Sequence, residues 1–510
     1  MIQKIINWHD ICNRDKERFY AKERGMIMAK KKAPSLGVAL IPIIAMITFL
    51  FTGIFMFEAD PHIPLLLSCT VATIVAMYLG YSWRELEKGL IKAVSLALQA
   101  LLILMIIGTI IGTWLAGGIV PTMIYYGLDI LSPGYFLPVA AVICSVIAIA
   151  SGNAWTAAGT IGIAIMGVGV GLGINPAMAA GAIISGCYFG DKISPLSETT
   201  NMAPGITGVE LFDHIRHMLF TTIPALIISV IIYFFIGLTF KDKGAGIDEI
   251  TALQQSLSDI FIISPWLLLV PIIVLGMIAM KTPAIPGLFI GSIMGGIVAF
   301  AVQGFSIGDI LGIMVYGFEM ETGNVVLDNL LNNGGTEAMM YTVSLVMIAM
   351  SFGGILETTG VLQTIVNSLL KLAKSTGSLI TTTVATCITA NVIACDQYMS
   401  ILLPGRMYLT AYRRRGLHPK NLSRTLEDAG TMTSPLVPWN TCGAFMTATL
   451  GVSTFAYAPY AFLCFISPLI AIIYAYTGFT IERISQEEID RMNAAENELN
   501  HPYEAMEQIF

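Results

Sequence analysis

Apolar segments long enough to cross a lipid bilayer dominate this chain of 510 residues. A helix needs about 20 predominantly apolar residues to span the hydrocarbon core. Such segments fall at about 37–57, 62–81, 93–116, 176–205, 218–240, 263–280, 283–303, 337–356, 427–450 and 455–478. Charged residues make up 12% of the chain, against roughly 25% in soluble domains. The sequence therefore predicts an all-α polytopic membrane protein with about ten spanning helices.

Two further apolar stretches, 134–172 and 378–411, are interrupted near their middles by polar or small residues. Irregular backbone at membrane depth is tolerated where it is buried in protein or lines a cavity. We therefore expect each stretch to form a re-entrant hairpin.

Short sequence matches indicate an internal repeat. Ser151-Gly-Asn153 recurs as Thr389-Ala-Asn391, and Ser194-Pro-Leu recurs as Ser434-Pro-Leu. The segments that begin at Gly80 and Gly118 recur at Gly304 and Gly360, in the same order. The separation is nearly constant once an insertion at 318–336 is allowed for. Four weak matches in one order support two related halves.

Equivalent loops of the two halves differ in their content of Lys and Arg. Segment 168–177 has none, whereas its counterpart, within 392–433, has six. Segment 82–92 has three, whereas 306–316 has none. Because cytoplasmic loops carry an excess of Lys and Arg, equivalent loops are expected on opposite sides of the membrane. The halves are thus predicted to be inverted-topology repeats.

The chain is predicted to consist of five parts. They are a cytoplasmic N-terminal tail (1–36), a first transmembrane repeat (37–240), a linker loop (241–262), a second transmembrane repeat (263–480) and a cytoplasmic C-terminal tail (481–510).

The polar stretch from Asp191 to Asn201 interrupts an otherwise apolar segment. Pro195 has no N–H, and its ring presses on the carbonyl of Asp191, so a helix should break here and leave that carbonyl free. Small hard cations prefer carboxylate, carbonyl and hydroxyl oxygens. An Asp within the membrane is expensive to bury and usually has a functional reason. The stretch is therefore our main candidate for a cation site.

Candidate site residues fall into two groups. The predicted cation- and proton-binding residues are Asp191, Ser194, Glu198, Thr199, Thr200, Asn201, Asp396 and Asp428, with sodium itself on Asp191, Ser194 and Asn201. The repeat Ser434-Pro-Leu predicts a second broken helix within 427–450. This helix and the hairpins are expected to add Ser151, Asn153, Thr156, Asn391, Thr433, Ser434, Asn440 and Thr441 near the midplane. The competing interpretation of a lone Ser, Thr or Asn is a hydrogen bond between packed helices.

The run from Gly190 to Pro204, Gly-Asp-Lys-Ile-Ser-Pro-Leu-Ser-Glu-Thr-Thr-Asn-Met-Ala-Pro, resembles the NhaC-type sodium/proton antiporters. Ser151-Gly-Asn-Ala-Trp-Thr156 and His214-Ile-Arg-His-Met-Leu219 extend the resemblance, which covers roughly 37–480. The resemblance implies inverted repeats with re-entrant hairpins and exchange of sodium for protons. The family also includes malate/lactate antiporters.

We therefore expect a secondary active transporter that exchanges sodium ions for protons across a bacterial cytoplasmic membrane by alternating access, with both termini cytoplasmic. The alternative is a sodium/proton-coupled organic-acid antiporter, with Asn153, Asn391 and the hairpin N-termini holding malate or lactate. Membrane lipid and a second copy of the chain in a homodimer are the partners considered. No nucleic-acid partner, cofactor, structural metal or catalytic residue is expected. An intramembrane hydrolase using Ser151 or Ser194 is disfavoured, because no His lies in a span to activate a serine.

Overall fold

The computed structural model describes residues 31, 33–240, 246–280, 282–322, 327–328 and 331–484. Most of the two predicted tails lies outside these residues. The secondary structure of the described residues is helical, with two isolated β-bridges, Phe318 to Asn333 and Leu417 to Arg483. The predicted all-α class is confirmed.

The first helices in chain order are α1 (Leu36–Phe51), α2 (His62–Tyr78), α3 (Trp83–Ala116), α4 (Ile119–Ile130), α5 (Phe136–Ser151), α6 (Ala154–Ala157), α7 (Ile163–Gly171), α8 (Pro176–Ile193), α9 (Glu198–Thr207), α10 (Leu211–Leu238) and α11 (Ile247–Ile260). They are followed by α12 (Leu269–Ala279), α13 (Ala284–Ala301), α14 (Ile307–Tyr316), α15 (Gly335–Thr358), α16 (Val361–Leu370), α17 (Thr376–Ile393), α18 (Gln397–Arg414), α19 (Pro419–Leu426), α20 (Thr441–Leu450), α21 (Thr454–Tyr457) and α22 (Phe462–Thr477). A π-helical turn, Ala158–Gly162, joins α6 to α7, so that Ala154–Gly171 runs as one helical stretch.

The chain forms two compact units. One comprises the residues up to Ala93 together with Ser351–Ile365. Within it α1 packs against α2, and Lys92 of α3 lies 3.9 Å from Glu357 of α15. The other unit comprises Val94–Met350 and Val366–Phe510, and it contains the predicted polar stretch, both predicted hairpins and the second broken helix.

Length and composition make several helices able to cross a membrane. Among the described residues, seven helical stretches meet these criteria, or nine if each of two bent helix pairs is one span. The expected number was about ten. Two predicted segments, 176–205 and 427–450, are instead cut into shorter pieces, because proline and capping side chains interrupt them.

The polar stretch breaks its helix where Pro195 predicts the break. Helix α8 ends at Ile193, and α9 begins at Glu198 with Ser197 as its N-cap. The expectation of a free carbonyl at Asp191 is wrong. That carbonyl accepts hydrogen bonds from the Ser194 N–H at 3.3 Å and from the Thr200 hydroxyl at 3.1 Å, because α9 folds back against the last turn of α8.

Both predicted hairpin stretches are interrupted near their middles, as expected. The first is broken at Gly152, whose φ of +66° suits glycine, and Asn153 caps the next helix. The second is broken at Cys395, with φ of +59°, and Asp396 caps α18. In the second broken helix, Asn440 caps α20 after a π-helical turn and a 3-10 turn.

Candidate functional site

A cavity of about 220 Å³ lies where four chain breaks meet. It is lined by Leu96, Ala97, Gln99, Ala100, Ile103, Asn153, Trp155, Asp191, Ser197, Glu198, Thr199, Asp396, Gln397, Tyr398 and Thr441. The α3 residues form a wall that is apolar except for Gln99, and the other polar residues come from the four breaks. Helices far apart in sequence therefore contribute to one polar site.

Two breaks of the first half are held in contact, and we call this pair the first crossing (Ile149–Asn153 with Ser194–Ser197). The Ser194 hydroxyl donates to the carbonyl of Ile149 at 2.8 Å. A Cβ placed on Gly152 would lie 2.5 Å from the Cβ of Leu196. Only glycine allows this approach, so the break in α5–α6 is fixed against the break in α8–α9.

Two breaks of the second half meet in the same way, and we call this pair the second crossing (Asn391–Asp396 with Trp439–Thr441). The Trp439 indole donates to the carbonyl of Val392 at 2.8 Å. The Thr441 N–H donates to the carbonyl of Cys395 at 3.0 Å. The Asn440 amide donates to the carbonyl of Asn391 at 3.1 Å. Backbone carbonyls left without a helical partner by the break between α17 and α18 thus accept hydrogen bonds from the residues just before α20 and at its start.

Helix N-termini converge on the cavity. Asn153 caps α6 by accepting from the N–H groups of Trp155 and Thr156, and Ser197 caps α9. Asp396 caps α18, accepting from the Met399 N–H at 3.0 Å, and Asn440 caps α20. Helix N-termini carry partial positive charge, which stabilises nearby carboxylates. The cavity therefore combines negative side chains with positive backbone ends.

Two buried carboxylates occupy these positions. Asp191 is 7% exposed and lines the cavity beside Asn153 and Ser197, the N-caps of α6 and α9. Asp396 is 4% exposed and accepts from the Met399 N–H. Both carboxylates line the cavity, which suits groups that exchange a ligand.

Glu198 is a third carboxylate and stands at the exposed edge of the cavity. It accepts a hydrogen bond from the Gln99 amide at 3.1 Å and another from the Tyr398 hydroxyl. It therefore joins α9 to both α3 and α18.

Lys192 points away from the cavity. Its ammonium group pairs with Asp428 and donates to the Ser467 hydroxyl at 2.9 Å. Asp428 also accepts from the Thr221 hydroxyl at 2.7 Å, and its other oxygen lies 3.8 Å from Arg424. Lys192 and Asp428 are both fully buried. Asp428, predicted as a cation or proton ligand, is thus engaged in a buried ion pair.

The structure brings six predicted site residues to the cavity and places ten elsewhere. The six are Asn153, Asp191, Glu198, Thr199, Asp396 and Thr441. Those outside the lining are Ser151, Thr156, Ser194, Thr200, Asn201, Asn391, Asp428, Thr433, Ser434 and Asn440. The Asn201 amide donates to the carbonyls of Pro195 and Ser197, so it stabilises the helix break and does not line the cavity. The Ser151 hydroxyl donates to backbone carbonyls, as does that of Ser194.

Sequence reasoning missed five polar or aromatic residues that line the cavity, namely Gln99, Trp155, Ser197, Gln397 and Tyr398. Three of them adjoin predicted residues or lie inside the predicted polar stretch. For Gln99, the available signal was an amide within a predicted span.

The cavity has the chemistry of a cation site. It offers three carboxylates and the neighbouring hydroxyls of Ser197 and Thr199, whose oxygens lie 3.1 Å apart. Oxygen ligands of this kind suit small hard cations. In the part of the chain that the structure describes, the cavity included, no group of three or more His, Cys, Asp or Glu residues is placed to hold a metal ion, so a cation here would also need the hydroxyl oxygens.

Comparison with known proteins gives a consistent result. A profile of the Na+/H+ antiporter family matches residues 186–479. A protein named Na(+)/H(+) antiporter NhaC, from Alkalihalophilus pseudofirmus, is 41% identical over 88% of this chain and 97% of its own length. A protein named malate-2H(+)/Na(+)-lactate antiporter, from Bacillus subtilis, is 38% identical over 87% of this chain and 93% of its own length.

A third relative carries a different name. It is an arginine/ornithine antiporter, ArcD, from Halobacterium salinarum, 39% identical over 90% of this chain and 95% of its own length. The profile covers more than half of the chain, and each of the three relatives aligns with the chain over nearly its whole length. The chain therefore belongs to the Na+/H+ antiporter family, as the resemblance of its polar stretch predicted.

Proposed function

We propose that this protein exchanges sodium ions for protons across a bacterial cytoplasmic membrane by alternating access, with Asp191 holding a proton and a sodium ion in turn. The observation that carries the proposal is the position of Asp191. It lies at a helix break, on the wall of a cavity that holds two more carboxylates. Among the described residues that line the cavity there is no Lys or Arg.

The sodium ligands that we propose differ in part from those that the sequence favours. Ser194 and Asn201, favoured by the sequence, direct their side chains to backbone carbonyls of the first crossing. Ser197 and Thr199 line the cavity beside Asp191. We therefore propose Asp191, Ser197 and Thr199 as the ligands, with Asp396 as a second carboxylate of the same cavity.

Competition for one carboxylate supplies the coupling. A protonated Asp191 presents a hydroxyl and no net charge, whereas a sodium ion needs the ionised form. The two ligands therefore exclude each other. If the loaded forms change their access from one side of the membrane to the other more readily than the empty ionised form, each crossing by sodium requires a return crossing by protons.

Exchange of an organic acid is the second candidate. Helix N-termini bind anions, and four of them end at this cavity. A dicarboxylate would, however, be repelled by the three carboxylates of the cavity. Lys192, the basic residue next to Asp191, is paired with Asp428, so its charge does not offset that of a bound dicarboxylate. The charge balance favours the bare cation.

The orientation belongs to the same proposal. The excess of Lys and Arg in 392–433 supports a cytoplasmic position for the end of α18 and the turn that leads to α19, and inverted repeats then place both tails in the cytoplasm. A homodimer in the lipid bilayer is compatible with this orientation.

The direct test is transport by the purified protein in proteoliposomes. An inward sodium gradient should drive protons out in the absence of any organic acid. If proton movement requires added malate or lactate, the second candidate replaces the first. If neither condition moves protons, the exchange function is wrong.

A further inference from the structure

A second cavity, of about 260 Å³, lies apart from the candidate site and is not used by the exchange chemistry described above. Its walls are mostly apolar and come from α4, α7 and the end of α20. Pro176 and Gly451 on its edge are exposed, so the cavity reaches the protein surface.

The same two helical elements connect this cavity with the candidate site. The stretch Ala154–Gly171 has Trp155 in the candidate site and Met166 in the second cavity. Helix α20 has Thr441 in the candidate site and Thr449 in the second cavity. At a rise of about 1.5 Å per residue, these pairs are about 12–16 Å apart, roughly half the thickness of a bilayer core. The two cavities therefore lie at opposite ends of one helix pair.

One face of α20 runs between the two cavities. Thr441, Phe445 and Thr449 follow at intervals of four residues, which places them along one side of the helix. Thr449 is 1% exposed, and its hydroxyl has no hydrogen-bond partner among the residues that the structure describes. A polar atom without a partner, in a cavity whose other polar side chain is Asn333, offers a contact to water or to a passing cation.

Phe445 interrupts this face. Its ring is fully buried and stacks on the ring of Trp155, with the two centroids 4.2 Å apart and the planes inclined by 16°. Trp155 is itself part of the candidate-site wall. The stacked pair thus stands between the two cavities, and the π-helical turn Ala158–Gly162 begins three residues after Trp155. Such turns often occur at functional sites within helices.

We infer that the second cavity is an access route to the candidate site, from the side of the membrane opposite to the exposed edge at Glu198. The stacked rings of Trp155 and Phe445 are the barrier that closes this route. The inference rests on the proposed exchange function, because only a carrier needs a second route. Segment 168–177, which borders the second cavity, has no Lys or Arg. The route therefore opens to the outside.

Cysteine labelling tests the route. Thr449→Cys should react with a membrane-impermeant thiol reagent added outside whole cells. Gln99→Cys, on the wall of the candidate site, should react much faster in inverted vesicles than in whole cells, where the closed barrier slows the reagent. Met446→Cys, fully buried beside Phe445 in the sequence and outside both linings, is the matched control and should react from neither side. The parent protein gives the background from native cysteines. Labelling of Thr449→Cys from the inside would overturn the inference.

Sodium leakage tests the barrier. Phe445→Ala should increase downhill sodium movement that is not coupled to protons, on the order of tenfold, because a cavity replaces the ring. Phe462→Ala is the control, since that ring packs on Tyr233 and lines neither cavity. If Phe445→Ala does not accumulate in the membrane, Phe445→Leu should show a smaller increase. Unchanged leakage in an inserted Phe445 variant would overturn the barrier.

The two experiments also separate the inference from the proposed function. If the wild-type protein moves no protons in response to sodium, but Thr449→Cys and Gln99→Cys react from opposite sides, the exchange function fails and the route stands. If exchange is normal and both cysteines react from one side, the route alone fails.

Discussion

The Tyr398 hydroxyl donates a hydrogen bond to Glu198 and thereby joins α18 to α9 at the edge of the candidate site. Gln99 of α3 binds the other carboxylate oxygen. Glu198, at the start of α9, thus contacts two other helices while lining the cavity, so it affects both the charge of the site and the position of α9.

For this reason Glu198→Gln should weaken exchange without abolishing it. An amide keeps an acceptor for Tyr398 but removes one negative charge, and hydrogen bonds to charged groups are worth about 1.5–3 kcal/mol. We expect the sodium concentration for half-maximal exchange to rise about tenfold or less, with substantial maximal rate remaining. Tyr398→Phe, which leaves the carboxylate in place, should have a smaller effect. Complete loss of exchange in a well-expressed Glu198→Gln protein would contradict this prediction, because it would make Glu198 as essential for exchange as Asp191.

Asp191→Asn should reduce sodium-driven proton movement to background. The amide cannot release a proton, and it is a weaker sodium ligand than a carboxylate. Fluorescence of a pH dye in proteoliposomes measures the effect. Asp213→Asn is the matched control, because Asp213 is an exposed partner of Arg216 on α10. Undiminished exchange by Asp191→Asn would remove Asp191 from the mechanism.

Breaking the buried Lys192–Asp428 pair should destabilise the protein strongly. Asp428→Asn leaves a buried ammonium group without its counter-ion, a change that costs about 3–5 kcal/mol. The double variant Lys192→Met/Asp428→Asn should regain part of this loss, because the buried Arg424 still lacks the Asp428 carboxylate. Unfolding of the purified protein in detergent gives the comparison. Lys420→Met, in an ion pair with the half-exposed Glu482, should cost about 1 kcal/mol or less. Equal stability of the single and double variants would mean that the pair is not coupled.

Gly152→Ala should disturb the first crossing. The substitution puts a Cβ 2.5 Å from that of Leu196 and forces alanine into a left-handed conformation, so we expect a loss of more than about 1 kcal/mol. Gly205→Ala in α9 is the control, because a Cβ there meets no atom within 4 Å. That variant should be neutral or slightly stabilised. Thermal unfolding decides the matter, and equal behaviour of the two variants would contradict the close approach.

Equivalent loops of the two halves should lie on opposite sides of the membrane. Single cysteines in 168–177 should react with an impermeant reagent outside whole cells, and those in 412–424 only in inverted vesicles. Gly118 and Gly360, replaced separately by cysteine, should also differ in their sidedness. Reaction of both loops from outside would exclude the inverted repeat.

Local chemistry made part of the site predictable from the sequence. The helix break at Pro195 follows from the missing N–H of proline, and Asn153 is a preferred helix cap. The intramembrane Asp191 stood out because burying its charge is expensive. These features depend on residues within a few positions of each other.

The rest depends on contacts between distant segments. Lys192 pairs with Asp428, 236 residues away, and no local pattern indicates that partner. Whether Ser194 or Ser197 faces the cavity depends on how α5 crosses α8, because Ser194 is taken by the Ile149 carbonyl. Tyr398 reaches Glu198 only because the two crossings pack together.

The close approach of Gly152 to Leu196 limits how the protein can move. The break that carries Asn153 cannot separate from the break that follows Asp191 unless their shared hydrogen bond and packing are lost. The second crossing is tied by three hydrogen bonds of its own. Each crossing should therefore shift as a rigid piece, and the contacts that join the two pieces, Glu198 to Tyr398 and Trp155 to Phe445, should change together. A movement that opens one side of the site would then be coupled to closure of the other side.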